Sequence, residues 1–100
     1  MDLEQYTDKA KETMVEAMES ARALDHQTIT TTHVIKAILV NNKQRFRKLI
    51  ELAGGNYYWA LQEADKILIS LPRVQGHKNV FIDTKLSEAI KSAEIYAQKL

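Results

Sequence analysis

Tyr6–Leu24, YTDKAKETMVEAMESARAL, and Ile82–Leu100, IDTKLSEAIKSAEIYAQKL, decide the fold. Laid over each other at a constant offset of 76, they share Lys9/Lys85, Glu12/Glu88, Ala17/Ala93, Ala21/Ala97 and Leu24/Leu100, five identities in nineteen positions. Their apolar stripes coincide too, with Ala10 and Met14 falling on Leu86 and Ile90, and the capping residues Thr7 and Asp83 in equivalent places. In the first copy Ala10, Met14, Ala17, Met18, Ala21 and Leu24 recur at helical spacing while Lys9, Glu12, Glu16, Glu19 and Arg22 take the other face, which predicts an amphipathic helix from Thr7 to Leu24. The second copy predicts a last helix, capped by Asp83 or Thr84, with Leu86, Ala89, Ile90, Ala93, Ala97 and Leu100 facing inward. A repeat that has only begun by Leu100 implies a natural domain continuing past it.

Between the copies, Thr30-Thr31-Thr32-His33 offers hydroxyl caps before Val34, Ile35, Ala37, Ile38, Leu39 and Val40. The β-branched content there favours a strand, but the capping signal and the missing period-two alternation favour a buried helix to about Asn41. Asn41-Asn42 reads as a turn. Phe46, Leu49, Ile50 and Ala53 then mark the inward face of a third helix, ended at Gly54-Gly55, where glycine takes the left-handed cap geometry. Asn56 caps a fourth, with Tyr57, Leu61, Ala64, Leu68 and Leu71 inward and Pro72 as its stop. Residues 72–82, polar and flexible through Arg73, Gln75, Gly76, His77, Lys78 and Asn79, predict an exposed loop. The expectation is an all-α chain: one four-helix pseudo-repeat over residues 1–76, then a loop and the first helix of a truncated second pseudo-repeat over 77–100.

Composition narrows the function. One hundred residues, 45% of them hydrophobic, suffice for one small domain. Without cysteine there is neither a disulfide framework nor a thiolate metal site. Met1-Asp2-Leu3-Glu4-Gln5 is polar where a secretory leader needs a basic start and an apolar run, and no stretch has membrane-spanning length. The reading is a soluble, untargeted, cytoplasmic protein. Fourteen basic against thirteen acidic residues supply little long-range attraction for nucleic acid. Glycines at 54, 55 and 76 alone cannot form a phosphate-cradling loop. His26, His33 and His77 lack the three- or four-residue spacing that puts two metal ligands on one helix face; His33 reads as a helix-start residue bonded to backbone. Ser20, Ser70, Ser87 and Ser92 lie on predicted helices, with no elbow to activate a nucleophile. No catalytic residue, metal or cofactor is expected.

The chain resembles the N-terminal domain of the Clp ATPases, nearest to the ClpB-type disaggregase branch. The residues that carry the likeness are Leu3-Glu4-Gln5-Tyr6-Thr7, His26 with Ile29-Thr30 and His33, Leu49-Ile50 with Ala53-Gly54-Gly55, and Leu71-Pro72-Arg73-Val74-Gln75-Gly76. That last stretch is similar to the family's Leu-Pro-x-Val-x-Gly. The resemblance implies two pseudo-repeats of four helices, joined in the parent chain to ATP-hydrolysing modules of a homo-oligomeric ring. It also implies a non-catalytic domain that binds unfolded or aggregated polypeptides in the groove between repeats, through Thr7, Ile90 and Tyr96. Thr32 stands where the family commonly has Glu, so a helix-start carboxylate is lost. The resemblance further calls for about three helices after Leu100, and their absence predicts self-association through an open apolar face.

Two surface clusters keep other readings open. Lys43, Arg45, Arg47 and Lys48 form the densest basic run; with Phe46, Leu49 and Ile50 inward, it reads as a solvated outer face, and a small helical nucleic-acid-binding domain is the alternative it supports. An adaptor-docking domain is the other rival. Tyr58 and Trp59 read either as a partner contact or, for Trp59, as packing on the end of the third helix. Thr7 carries two readings, a helix cap and the edge of the implied substrate surface.

Overall fold

A computed structural model describes residues 7–76 and 79–98. Met1–Tyr6, His77, Lys78, Lys99 and Leu100, with the expectations placed on them, lie outside the described residues. Among the described residues five helices run in order: α1 (Asp8–Ala23), α2 (Thr31–Asn41), α3 (Lys43–Leu52), α4 (Tyr57–Ser70) and α5 (Thr84–Gln98). The caps expected for α1, α4 and α5 are made. The Thr7 hydroxyl accepts from the Ala10 N–H at 3.2 Å, the Asn56 side chain from the Trp59 N–H at 2.9 Å, and the Asp83 carboxylate from the Lys85 N–H at 3.0 Å. The first helical residues of α1 and α5, Asp8 and Thr84, keep the register of the repeat.

Two helix ends redirect the chain. At the end of α3 the Gly54 N–H bonds the Glu51 carbonyl, and the Gly55 N–H bonds the Ile50 carbonyl, with Gly54 at φ +87. This is the paired closure that lets a helix stop on a left-handed residue. A Cβ on Gly55 would stand 2.9 Å from the Ile50 side chain and 3.3 Å from its carbonyl oxygen, so a larger residue there would force a shift. The end of α1 uses the same pairing with Asp25 at φ 57, a left-handed position that Asp tolerates better than most residues. It turns the chain back so that the His26 N–H meets the Ala21 carbonyl at 2.8 Å and the His26 ring enters the interior.

The core lies where α1 and α2 meet. Ala17, Ala21 and Ala37 are small enough to let the two helix backbones approach, and Ile29 and Leu86 close the cluster. Leu39, Tyr57, Ala64 and Leu68 are buried where α2 meets α4, and the Tyr57 hydroxyl donates to the Leu39 carbonyl at 2.6 Å.

Several expectations are corrected. Residues 72–82 are not wholly a free loop: β1 (Thr28–Ile29) and β2 (Phe81–Ile82) pair in parallel, Thr28 opposite Phe81 and Ile29 opposite Ile82, and the Val74 N–H bonds the Asp25 carbonyl. Val80 and Ile82 thereby reach the core. The inward face drawn for α3 is only half covered: Phe46 and Ile50 are partly buried, while Leu49 is 52% exposed and Ala53 is exposed. The principal neighbours of α3 are α2 and α4, which cover one side of it. On α5, Leu86 is buried and Ile90 half-buried, whereas Ala89, Ala93 and Ala97 are exposed, because alanine is too short to reach across to α1 and α2. Trp59 is 62% exposed rather than packed on the end of α3.

Thr7 is the place to test the capping account. Thr7→Ala is expected to lower stability by about 1 kcal/mol, and Thr7→Ser to leave it near wild type. Thermal unfolding of the three proteins checks this; equal melting temperatures would leave the Thr7 hydroxyl without a structural role.

Candidate functional site: an apolar cleft between three helices

Because the alanines of α5 leave space, a cleft of about 580 Å³ opens between α1, α2 and α5. Ala10 and Met14 form its α1 wall, Val34 and Ile38 its α2 wall, and Ile90, Ala93 and Ala97 its α5 wall. Thr13, Glu94 and Gln98 supply the polar positions, and the Thr13 hydroxyl is turned back to the Lys9 carbonyl at 3.0 Å. The surface offered is therefore nearly all carbon, with charge at one rim. Such a site rewards burial of apolar side chains, roughly 25 cal/mol for each Å² removed from water, and sets little directional demand.

Of the three residues expected to touch substrate, Ile90 lies in the cleft wall. Thr7 is exposed at the α1 N-cap, one turn before Ala10, and Tyr96 is 66% exposed on another face of α5. The structure does not bring these two into the cleft with Ile90. Ala10, Met14, Val34 and Ile38 read in the sequence only as inward stripes; the signal for an open cleft is the small size of Ala93 and Ala97 opposite them.

The imidazoles have a structural task. The Thr30 backbone N–H donates to His33 Nδ1 at 2.9 Å, and a backbone N–H can only donate. The His33 proton therefore sits on Nε2, which faces His26 Nδ1 at 2.8 Å and donates to it. His33 thus fills the helix-start role that Glu or Gln takes in a capping box, and His26 receives the far end of the relay. The rings meet edge to face, 5.0 Å between centroids at 75°. His26 Nε2 is buried without a hydrogen-bond partner, and the Leu68 backbone favours a proton on this ring.

Burial pushes the His33 pKa down to about 4, with the neighbouring His26 adding to the effect. Burial, then Arg73, lowers that of His26, against a smaller opposing pull from Asp25. Both rings are neutral at pH 7, and neither lines the cleft. Among the described residues no group of three or more His, Cys, Asp or Glu is placed to hold a metal ion, and no helix is long and apolar enough to cross a membrane.

The capped α1, the histidine at the start of α2 and the left-handed closure after α3 fall on residues that carry the resemblance to the N-terminal domain of the Clp ATPases. The profile of the Clp repeat (R) N-terminal domain matches residues 5–100, and the chain belongs to this family. Its similarity is to Chaperone protein ClpB: 33% identity with that of Rhizobium meliloti (strain 1021), 27% with that of Mesorhizobium japonicum and 29% with that of Meiothermus ruber. These matches cover 99%, 99% and 100% of this chain but 12% of each relative. The chain thus spans about one-eighth of the length of the chaperones it matches.

Proposed function

We propose that the chain is the substrate-binding N-terminal domain of a ClpB-type ATP-dependent disaggregase, taking apolar segments of unfolded or aggregated polypeptides into the cleft between α1, α2 and α5. The observation that carries this reading is the cleft itself, walled by aliphatic side chains and alanines and open to solvent. Supporting it, the relatives that match over the full chain are chaperones. A shallow apolar surface accepts many sequences, since it asks for burial rather than for a particular hydrogen-bond pattern. In this reading, ATP hydrolysis and ring assembly belong to the rest of a cytoplasmic parent chain, and residues 77–100 begin its second helical pseudo-repeat.

Titration with a permanently unfolded protein, reduced and carboxymethylated lactalbumin, tests the proposal. Weak binding is expected, insensitive to salt, and Ile90→Asp is expected to weaken it at least about tenfold, because an unpaired carboxylate would be placed in the apolar wall. Binding of equal strength to Ile90→Asp would remove the cleft from the reading. Tight, steeply salt-dependent binding of DNA with none of the unfolded chain would favour the nucleic-acid alternative.

A further inference from the structure

Two exposed helix stripes, neither of them part of the cleft lining, match each other in spacing and oppose each other in charge. On α3 the stripe is Arg45, Lys48, Leu49 and Leu52; on α1 it is Glu12, Val15, Glu16 and Glu19. Both follow the spacing of three, four and seven residues that places side chains along one face of a helix. All eight residues are exposed or nearly so, with Leu49 at 52%, Leu52 at 80% and Val15 at 42%. None of the five charged ones makes an ion pair within the described chain.

The neighbouring cations of α3 are already engaged, which leaves this stripe distinct from them. Arg47 pairs with Glu51 at 3.0 Å, and Lys43 and Arg47 both stand over the Tyr58 ring, 5.3 and 5.6 Å from its centroid. The Tyr58 ring thus already carries two cations, and the chain as a whole has a net charge of only +1. Both facts disfavour nucleic acid as the occupant. Leu49 and Leu52, on the same stripe as Arg45 and Lys48, call for a partner that presents aliphatic carbon and carboxylates together.

We infer that the α3 stripe docks on the α1 stripe of a second copy of this chain, Arg45 and Lys48 meeting Glu12, Glu16 and Glu19 while Leu49 and Leu52 cover Val15. The contact is heterologous, since the two copies use different surfaces. After one contact the pair keeps one free stripe of each kind, one on each copy, so association continues head to tail. This inference goes beyond the cleft reading and does not depend on it. Few charges and a small apolar area make the contact weak. Its weight rises wherever copies of the chain are held close together, because tethering replaces bulk by local concentration.

Sedimentation equilibrium of the whole chain up to about 1 mM, a concentration at which millimolar contacts are populated, at about 20 mM and about 500 mM salt, tests it. At low salt the average mass is expected to rise with concentration, and high salt to suppress the rise. Arg45→Glu/Lys48→Glu and Glu12→Lys/Glu16→Lys should each associate about tenfold more weakly alone, as exposed ion pairs become like-charge contacts. Mixed in equal amounts, the two double variants should recover association, because each then presents the complement of the other. That recovery also shows that neither variant has merely lost its fold. A monomeric wild type at low salt, variants that associate as strongly as wild type, or a mixture no better than its components would overturn the inference.

Discussion

Acidification from pH 7 to pH 5 is expected to remove about 2 kcal/mol of folding stability through His33 alone, rising to about 3 kcal/mol once the pH falls below 4. The sign comes from the hydrogen bonds. His33 Nδ1 accepts the Thr30 N–H, and its Nε2–H is donated to His26, so a second proton on His33 would set N–H against N–H at the start of α2. The folded pKa, about 4, lies below the ordinary histidine value of 6.5. The neutral ring is therefore the favoured native form. Its stabilisation is complete above pH 6.5 and is lost as the pH falls from there through 4. His26, also depressed, acts in the same direction. Asp and Glu titrate mostly below about pH 5, so the interval from about 6.5 to about 5 isolates the histidines. Urea denaturation across that interval should show a midpoint that falls with pH in the wild type and falls less steeply in His33→Gln, where only the contribution of His26 remains. An equal slope in both proteins would mean that other groups carry the dependence.

That pair illustrates what is and is not legible in the chain. A helix-start role for His33 can be read from three threonines before an apolar run, because capping is local and its residues are adjacent. The partnership with His26 is not local: it requires the left-handed Asp25 to reverse the chain after α1, and nothing in the spacing of the two histidines announces that. Helix caps at Thr7, Asn56 and Asp83 are readable for the first reason. The β1–β2 pair is not, since each strand is too short to show alternation.

The face of α3 exposes a different limit. An apolar stripe at Phe46, Leu49 and Ile50 shows which side of a helix is greasy, but whether a neighbour covers it depends on where the other helices go. Here coverage stops at Phe46 and Ile50. The cleft is half legible: its α1 and α2 walls are inward stripes in the sequence, and its α5 wall is a run of small residues. The gap between them depends on helix separation, which no residue pattern states.

Leu86→Ala should detach α5 and leave the other helices folded. Of all the side chains of α5, Leu86 is the only buried one at 4% exposed, with Ile90 half-buried beside it. The other attachments lie before the helix, in the short pairing of β1 with β2 and the partly buried Val80 and Ile82, and they hold the start of α5 rather than its length. Truncating a buried leucine to alanine costs about 2–5 kcal/mol. Here that loss falls on one element, because the α1–α2 and α2–α4 contacts do not involve Leu86 except where it caps the alanine cluster. Amide exchange across Thr84–Gln98 is expected to quicken by about 100-fold, with α2 and α4 still protected, since about 1.4 kcal/mol corresponds to each factor of ten. Ile90→Ala, removing a half-buried side chain, should give the same pattern at smaller amplitude. Loss of α5 also removes the wall formed by Ile90, Ala93 and Ala97, so binding of unfolded polypeptide should weaken in step with exchange. If instead all helices lost protection together, α5 would be part of the cooperative core and the cleft a fixed feature of the fold. If α5 stayed protected, the weight placed on Leu86 would be misassigned.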